Sequence, residues 1–299
     1  MDVSIIIVNY NTRNLLEDCL ASIYAKVRDL SYEIIVVDND SSDGSQEMLR
    51  TRYQNVTLIA SDSNLGFGKA NNLGAASAKG EFLLLLNSDT ILINNAVKIL
   101  YDYIAAHSNI AICGGNLYTK DMKPATSFSQ TMPGIAADID YLCGGFFSKL
   151  KYGRNLNFNY LNEPLKIDGY ISGADLMIRK SVFDSTKGFD PDFFMYYEET
   201  ELTYRVKKMS HDVVSVPGAK IIHLEGASEQ IKENSAIRSF KSKWIYFNKT
   251  GKRRLKYGSH LLFKLTAFQR YIVFSILGSK ERAQYWKSLR KWESEVFKL

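Results

Sequence analysis

The sequence has few cysteines and no long uninterrupted apolar segment. Its cysteines, Cys19, Cys113 and Cys143, are odd in number and widely spaced, which argues against a disulfide framework or a metal site built from cysteine pairs. We therefore expect free thiols in a reducing compartment. No basic residue precedes the first apolar run, at residues 3–8, and polar residues follow it at once. This pattern predicts a first strand rather than a signal peptide, and hence a cytoplasmic protein.

The charge of the chain is unevenly distributed. Residues 252–299 contain twelve Lys or Arg against three Glu, a net charge of +9 within an overall +6, so the remainder carries −3. A basic segment of this kind is typical of proteins that contact an anionic surface, and we expect a membrane surface rather than nucleic acid. Residues 261–277 are apolar but interrupted by Lys264, Gln269 and Arg270. Two alternatives remain open: a helix lying at the membrane interface, and a helical hairpin packed on the body with a solvated basic face.

Apolar strands alternate with helical patterns through the first hundred residues. Strands are predicted at 3–8, 33–37, 56–60 and 82–86, and helices at 13–25, up to about 53, and 69–78. This alternation predicts an α/β protein with a parallel sheet covered by helices on both faces. Further along, we expect a helix at 95–106, strands at 111–118, 169–179, 213–216 and 221–223, helices at 181–185 and from 198, and mostly helix after 243. Residues 119–166 show weak periodicity, and no element is predicted there.

Polar residues follow two of the predicted strands directly. Asp89 comes after the apolar run at 82–86, and Asp38 and Asp40 follow the second strand. Ligands of open α/β sheets bind outside the carboxyl ends of the strands, so these acids are placed to meet a ligand or its metal. Mg²⁺ and Mn²⁺ favour carboxylate and phosphate oxygens. Polar turn residues nevertheless follow strands in any α/β protein. Taken alone, the acids after either strand therefore also fit a simple turn.

Three other features have a structural as well as a functional interpretation. The run Gly66-Phe67-Gly68 lacks the third glycine of a dinucleotide fingerprint, because Asn71 stands there, and it follows the third strand; a dehydrogenase is therefore excluded. His223 follows an apolar strand, where a histidine is more often a cap or a core residue than a ligand. The acids at 198, 199 and 201 would favour the start of a helix through its dipole.

The order of these segments resembles the inverting family 2 glycosyltransferases of the GT-A fold, and more narrowly their bacterial rhamnosyltransferase-like members. The matching segments, from about residue 3 to 250, are SIIIVNYN, VVDNDSSDGS, NLGFGKANNLG, LLLLNSDT, SGADLMIRK, GFDPDFFMYYEETEL and IIHLEGAS. The resemblance implies a Rossmann-like, mostly parallel sheet flanked by helices. Residues 1–118 would form a nucleotide-binding half and 119–250 an acceptor-binding and catalytic half, followed by a basic amphipathic helical tail at 251–299.

The resemblance also implies roles for the matching residues. Those expected to contact the nucleotide are Asn9, Tyr10, Asp38, Asp40, Asn64, Gly66, Lys69, Asn87 and Ser88. Asp89 would hold a Mg²⁺ or Mn²⁺ ion, with His223 completing the metal shell. Glu199 would be the general base, with Glu198 as the substitute. Gly173, Ala174 and Asp175 would lie beside the donor sugar, and Asp175 is counted with the catalytic residues.

The sequence departs from the family pattern at several points. Asn87 stands where the family's metal motif has its first acid, which removes one ligand charge. Glu199 stands where Asp is common. The QXXRW motif of processive synthases is absent, which favours the addition of one or a few sugars over polymerisation.

The resemblance implies transfer of a sugar from a nucleotide-diphosphate donor, with dTDP-rhamnose or a UDP-hexose preferred. The acceptor would be a glycan or a lipid-linked glycan of cell-surface polysaccharide biosynthesis, at the inner face of the cell membrane. One alternative is a nucleotidyltransferase, which should carry a Gly-rich, basic phosphate loop after the first strand, where residues 9–12 read NYNT. The other is a sugar-nucleotide-binding protein without catalysis, which only Asn87 favours.

Overall fold

The computed structural model describes residues 1–224 and 232–298. Its strands are β1 (Val3–Asn9), β2 (Tyr32–Asp38), β3 (Thr57–Ala60), β4 (Phe82–Asn87), β5 (Thr90–Leu92), β6 (Ile110–Tyr118), β7 (Phe128–Ser129), β8 (Leu165–Lys166), β9 (Tyr170–Ile171), β10 (Asp175–Arg179) and β11 (Asp212–His223). Its helices are α1 (Arg13–Lys26), α2 (Ser45–Arg52), α3 (Phe67–Ser77), α4 (Ala96–Ala106), α5 (Ile135–Leu142), α6 (Phe146–Tyr152), α7 (Lys180–Ser185), α8 (Glu198–Lys208), α9 (Lys232–Lys249), α10 (Lys256–Ile276) and α11 (Lys280–Phe297).

The main sheet has the strand order β3-β2-β1-β4-β10-β6-β11-β5, with β8 paired to β11. The first four strands in this order run parallel, as the alternating pattern predicts. Strand β10 is antiparallel to both of its neighbours, β4 and β6, and so reverses the direction in the middle of the sheet. Beyond it, β6 and β11 are again parallel.

Helices cover both faces of the sheet because the strand side chains alternate in direction. On β1, Ile5 and Ile7 belong to the core shared with α1, α2 and α4. Ile6, between them, points to the opposite core, which α3, α7 and α8 supply with residues such as Phe183 and Leu202. All three of these isoleucines are fully buried, which explains why β1 reads as a continuous apolar run.

The structure corrects the predicted elements in several places. The segment 119–166, predicted without elements, contains β7, α5, α6 and β8. The single bent strand predicted at 169–179 is two strands, since β9 pairs with β7 in a separate two-stranded sheet and β10 joins the main sheet. The two strands predicted at 213–216 and 221–223 are one strand, β11, with an irregular register between Ser215 and Lys220. Strand β5 was not predicted, because three residues give no periodicity.

The chain ends in helices that pack on the body. A third apolar cluster joins α9 and α11 through Trp244, Phe247, Leu289 and Val296, together with Phe193 of the body. Helix α10 lies against α5, where Ser259 donates a hydrogen bond of 2.5 Å to Asp138. The packing on the body that one alternative predicts is therefore present, but the outward face of α10 carries large apolar residues rather than the solvated basic face of that alternative. No helix among the residues described is long and apolar enough to cross a membrane.

Candidate functional site

The carboxyl ends of three strands meet at one edge of the sheet. Strand β1 lies between β2 and β4, with Asn9 in register with Asp38 and Val8 in register with Asn87. Parallel strands end on the same side, so the polar residues that follow them converge. The structure thus brings together the groups that the sequence places at the ends of strands one, two and four.

Asn9 and Asp38 form the floor of this edge. Asn9 Nδ2 donates to Asp38 Oδ2 at 2.7 Å, and both residues are fully buried. Thr12 Oγ1 donates to Asn9 Oδ1 at 2.7 Å and lies 2.9 Å from Ser88 Oγ. The hydrogen bonds therefore link the ends of β1, β2 and β4 into one network. Asn9 was predicted to line a nucleobase pocket, but both polar atoms of its side chain are hydrogen-bonded to other residues of the protein. Thr12 also belongs to this hydrogen-bond network, and the sequence did not reveal it.

Tyr10 and Asp40 lie on the accessible side of the same edge. The Tyr10 side chain is 48% exposed, and Asp40 is exposed with a left-handed backbone at φ +66°. Between Asp38 and Asp40, Asn39 is buried, and its Oδ1 has no hydrogen-bond partner among the described residues. Its Nδ2 donates to the carbonyl of Gly66 at 3.1 Å. Tyr10 and Asp40 can meet a ligand directly, whereas Asn39 ties the second strand end to the glycine turn.

The turn before α3 depends on a glycine. Gly66 has φ +81°, and a Cβ there would lie 2.2 Å from the carbonyl oxygen of Phe194. Its amide donates to Asn64 Oδ1 at 2.9 Å, and the amide of Phe67 donates to that same Phe194 carbonyl at 2.9 Å. Lys69 is exposed on the first turn of α3. The turn thus brings the start of α3 against the segment before α8, and leaves a cation accessible at the helix N-terminus.

Asp89 and His223 come together from opposite halves of the chain. Asp89 Oδ1 lies 3.3 Å from Nε2 of His223, and both side chains are largely buried. Asn87 Nδ2 lies 3.3 Å from the same Nε2. The pairing of β5 with β11, which sets His223 opposite Thr90, produces this approach. Two residues predicted from distant segments therefore form one cluster.

The cluster fits a divalent ion that also binds a phosphate. Mg²⁺ and Mn²⁺ are commonly held by one or two protein ligands, the rest of the shell being substrate phosphates and water. An imidazole beside a single carboxylate favours Mn²⁺ over Mg²⁺, which prefers oxygen ligands. Among the residues described, no group of three or more His, Cys, Asp or Glu could hold a metal by itself. The protein would therefore share the ion with its ligand.

A short turn before β10 lies between the Asp89–His223 cluster and helix α8. The carbonyl of Ala174 accepts a hydrogen bond of 3.0 Å from the amide of Asn87. A Cβ on Gly173 would lie 3.9 Å from Cβ of Glu199 and 3.5 Å from the Phe67 ring. Gly173 and Ala174 therefore connect the Asp89 side of the site with the Glu199 side.

Asp175 lies beneath this turn rather than in the open site. Its side chain is fully buried, and Oδ2 accepts a hydrogen bond of 2.6 Å from the amide of Gly115. Burial raises the pKa of Asp175 to about 7, against the lowering effects of that hydrogen bond and of nearby His223. Asp175, predicted among the catalytic residues, is thus a buried carboxyl under the site.

Helix α8 begins with the two candidate bases. Glu198 is buried, and its Oε2 has no hydrogen-bond partner among the described residues, while Glu199 is partly exposed. Burial raises the pKa of both carboxyls, and for Glu198 the adjacent Glu199 raises it further. Thr200 Oγ1 donates to Glu199 Oε1 at 3.3 Å. The third acid, Glu201, is paired with Arg205 at 2.6 Å and supports the helix.

The backbone before α8 is strained. Tyr196 and Tyr197 are consecutive non-glycine residues with φ of +71° and +69°. Such conformations cost about 1–3 kcal/mol each and tend to occur at functional sites. Here they turn the chain so that α8 starts at Glu198, with Glu199 facing Gly173. The sequence showed an aromatic run at this position but not this geometry.

Two cavities of about 370 Å³ lie outside the strand-edge cluster. The first is formed between α5, α6 and the β7–β9 ladder, and its walls include Gln130, Asp140, Phe147, Lys151 and Asp168. Neither cavity is lined by Asp89 or Glu199. The first cavity is connected to the site through β9, which pairs with β7 beside the cavity and packs against α8. The matching segment IIHLEGAS, which contains His223, ends with residues 225–228, and these four lie outside the described residues.

Comparisons with known proteins place the chain among sugar-transferring proteins. The sequence model of the family described as glycosyl transferase family 2 matches residues 4–186. An N-acetylglucosaminyl-diphospho-decaprenol L-rhamnosyltransferase of Mycobacterium tuberculosis is 28% identical over 231 residues, which cover 73% of this chain and 75% of the relative. A low-salt glycan biosynthesis hexosyltransferase of Haloferax volcanii is 27% identical over 238 residues, covering 78% and 71% of the two chains.

Solved structures show the same fold at low sequence identity. A mannosyltransferase of Pyrobaculum calidifontis, in complex with GDP-Man and Mn²⁺, superposes with a TM-score of 0.60 at 15% identity, covering 98% of this chain and 83% of that one. The structure of GalNAc-T7 with UDP, GalNAc and Mn²⁺ gives a TM-score of 0.59 at 16% identity, covering 83% of this chain and 48% of that chain.

Proposed function

The chain belongs to glycosyl transferase family 2 and has the GT-A fold, and we propose that it transfers a sugar with inversion from a nucleotide-diphosphate donor to a glycan or lipid-linked glycan. It is a glycosyltransferase, so the nucleotidyltransferase and the non-catalytic binding protein are set aside. The donor, the acceptor and the stereochemistry are our proposal.

One observation carries the proposal: a single turn touches both reactive sides of the site. Ala174 is hydrogen-bonded to Asn87 beside Asp89 and His223, and Gly173 faces Glu199. A donor whose diphosphate lies at Asp89 would extend its sugar over this turn toward Glu199. In this proposal the site would have a phosphate side at Asp89 and a base side at Glu199, with the small residue Gly173 between them leaving room for a sugar.

In this proposal, different residues would bind the metal, accept the proton and hold the nucleotide. Asp89 and His223 would hold a Mn²⁺ ion, which stabilises the negative charge on a leaving nucleoside diphosphate. Glu199, partly exposed and with a raised pKa, would accept the proton of the acceptor hydroxyl as that oxygen attacks the anomeric carbon. A single displacement of this kind inverts the anomeric configuration. Tyr10, Asp40 and Lys69 are the accessible groups that would hold the nucleotide.

Two relatives support the choice of a donor and an acceptor to test. The mycobacterial relative is named for rhamnosyl transfer to a diphospho-decaprenol-linked sugar, and the archaeal one for hexosyl transfer. We therefore propose dTDP-rhamnose as the first donor to test, with UDP-hexoses next, and a role in cell-surface polysaccharide biosynthesis. The cavity between α5 and α6 is the proposed acceptor side, because it lies beside the β7–β9 ladder, and β9 packs against α8, which carries Glu199.

A lipid-linked acceptor would be reached at the inner face of the cell membrane. The tail at 251–299 carries a net charge of +9, whereas the rest of the chain carries −3, and we propose that it contacts the anionic lipid surface there.

A donor screen tests the proposal. Purified protein would be melted in the presence of a panel of nucleotide sugars, with and without Mn²⁺, and the best ligand then incubated with acceptors. We expect one nucleotide sugar to raise the melting temperature, more so with Mn²⁺, and the product to show inverted anomeric configuration by NMR. A panel in which no nucleotide sugar stabilises the protein, or a product with retained configuration, would contradict the proposal.

A further inference from the structure

Helix α10 presents its large apolar residues outward. Six of them recur at intervals of three or four residues, which places them on one stripe of the helix; they are Tyr257, Leu261, Leu265, Phe268, Ile272 and Ile276, between 39% and 80% exposed. The buried residues of α10 are instead the small or polar Ser259, Thr266 and Ala267. A surface helix of a globular protein normally shows the opposite arrangement. We call these six residues the apolar stripe.

Specific contacts fix the orientation of α10 and so keep the apolar stripe on its outer face. Ser259 is hydrogen-bonded to Asp138 of α5, and on the neighbouring helix Glu293 accepts a hydrogen bond of 2.7 Å from His260. The ring of His260 also stacks on that of Phe297 at 3.8 Å. These contacts fix α10 between α5 and α11 and determine which face is left uncovered. A contiguous exposed apolar surface held in place in this way marks an interaction site.

Basic side chains lie beside the stripe. The guanidinium of Arg290 lies 5.5 Å from the ring of Phe268, a member of the stripe. Lys264 is on α10 itself, and residues 252–299 carry a net charge of +9. An apolar stripe with cationic neighbours is the arrangement of helices that lie in a membrane interface and bind anionic lipids.

We propose that α10 docks on an anionic phospholipid bilayer, with the apolar stripe inserted among the lipids and its axis parallel to the surface. A 21-residue helix is about 30 Å long, so the stripe could contact lipid over that whole length. A second copy of the chain fits this face less well, because two segments of +9 would be brought together. The inference rests on the proposed membrane partner, but not on the donor, the acceptor or the metal.

Vesicle binding tests this inference with the full chain. The variant Leu261→Gln/Leu265→Gln/Phe268→Gln removes apolar contacts without changing the charge, and glutamine preserves helix propensity. The control, Tyr24→Gln/Leu73→Gln/Met209→Gln, alters three large apolar residues of 38–44% exposure outside the tail. Each protein would be sedimented with vesicles containing phosphatidylglycerol and with vesicles of phosphatidylcholine alone, and its melting temperature measured.

We expect wild type and control to sediment with the anionic vesicles and only weakly with the neutral ones. The stripe variant should bind the anionic vesicles with an affinity at least roughly tenfold lower than that of the wild type. Its melting temperature should be like that of the control. Equal binding by the stripe variant would overturn the inference, as would a wild type that ignores anionic vesicles. A wild type that dimerises through the stripe without binding vesicles would assign the surface to a second copy. Failure of the donor screen would leave these vesicle results unaffected, so the two proposals fail separately.

Discussion

The carboxylate of Asp89 lies 3.3 Å from Nε2 of His223, although the two residues are far apart in the sequence. Residue Asp89 follows β4, which is parallel to β1, and His223 ends β11, which is held in place by β5 and β6. The approach therefore depends on the long-range pairing of β5, which begins directly after Asp89, with β11 rather than on a local turn. Because an imidazole and a carboxylate so placed can share one cation, this relationship connects the fold to the proposed chemistry.

Glu199→Gln should greatly reduce turnover while preserving the donor complex. The amide keeps the size of the side chain but cannot accept the proton of the acceptor, and loss of a general base costs about 10²–10⁴ in rate. Calorimetry with the donor and initial-rate assays would be run side by side. Glu201→Gln is the control for a change of charge on the same helix turn, since Glu201 is paired with Arg205. Normal turnover in Glu199→Gln together with loss in Glu198→Gln would transfer the role to Glu198.

The pH profile should report the buried position of the base. Burial raises the pKa of Glu199 above the 4.5 of an ordinary glutamate, and a base must be deprotonated to act. We therefore expect kcat/KM to rise with pH through an apparent pKa above that value, and this limb to disappear in the residual activity of Glu199→Gln. An acid limb at or below about 4.5 would contradict the assignment.

Asp175→Asn should change how stability depends on pH. The folded-state pKa of Asp175 is about 7 against an ordinary 3.8, so its favourable contribution is complete below about pH 4 and is lost as pH rises toward about 7. Asparagine stays neutral and keeps an oxygen for the Gly115 amide. Between about pH 5 and about pH 8, the unfolding free energy of the wild type should fall about 2–3 kcal/mol further than that of the variant. Urea titrations at both pH values measure this difference; parallel losses in the two proteins would show that Asp175 titrates normally.

Gly66→Ala should be far more harmful than Gly251→Ala. Both glycines have a left-handed backbone, at φ +81° and +73°, but a Cβ at Gly66 would lie 2.2 Å from the Phe194 carbonyl and one at Gly251 meets nothing within 4 Å. The control should lose only the cost of about 1–2 kcal/mol for the backbone conformation. Gly66→Ala should also displace α3 from Phe194 and weaken donor binding. Melting temperatures and donor titrations would show this, and equal effects in the two variants would remove the steric argument.

The outline of the fold and of the site could be predicted because strand ends are visible in a sequence. The apolar runs ending at Asn9, Asp38 and Asn87 indicated the parallel strands and the edge at which they meet. The cysteines are free, as their spacing predicted, and the structure shows that Cys19 and Cys113 are also buried. The direction of β10 could not be predicted, because an antiparallel strand buried on both faces has the same apolar pattern as a parallel one.

Long-range contacts set the features that the sequence did not reveal. The need for glycine at Gly66 comes from the carbonyl of Phe194, and the positions of Glu198 and Glu199 come from two strained tyrosines before α8. The orientation of the tail helix α10 also depends on long-range contacts. Its apolar and basic residues were evident, but whether the apolar ones face the body or the outside depends on which side of α10 contacts α5 and α11.

The most direct test of the central claim is the Mn²⁺ dependence of nucleoside-diphosphate release from the donor chosen by the thermal screen. We predict that a chelator abolishes release by the wild type. Asp89→Ala and His223→Ala should raise the Mn²⁺ concentration for half-maximal rate roughly tenfold or more, while Asp62→Ala, an exposed acid in the same half of the chain, should leave it unchanged. Release that persists in the chelator and is unaltered in Asp89→Ala would contradict a shared metal site at Asp89 and His223.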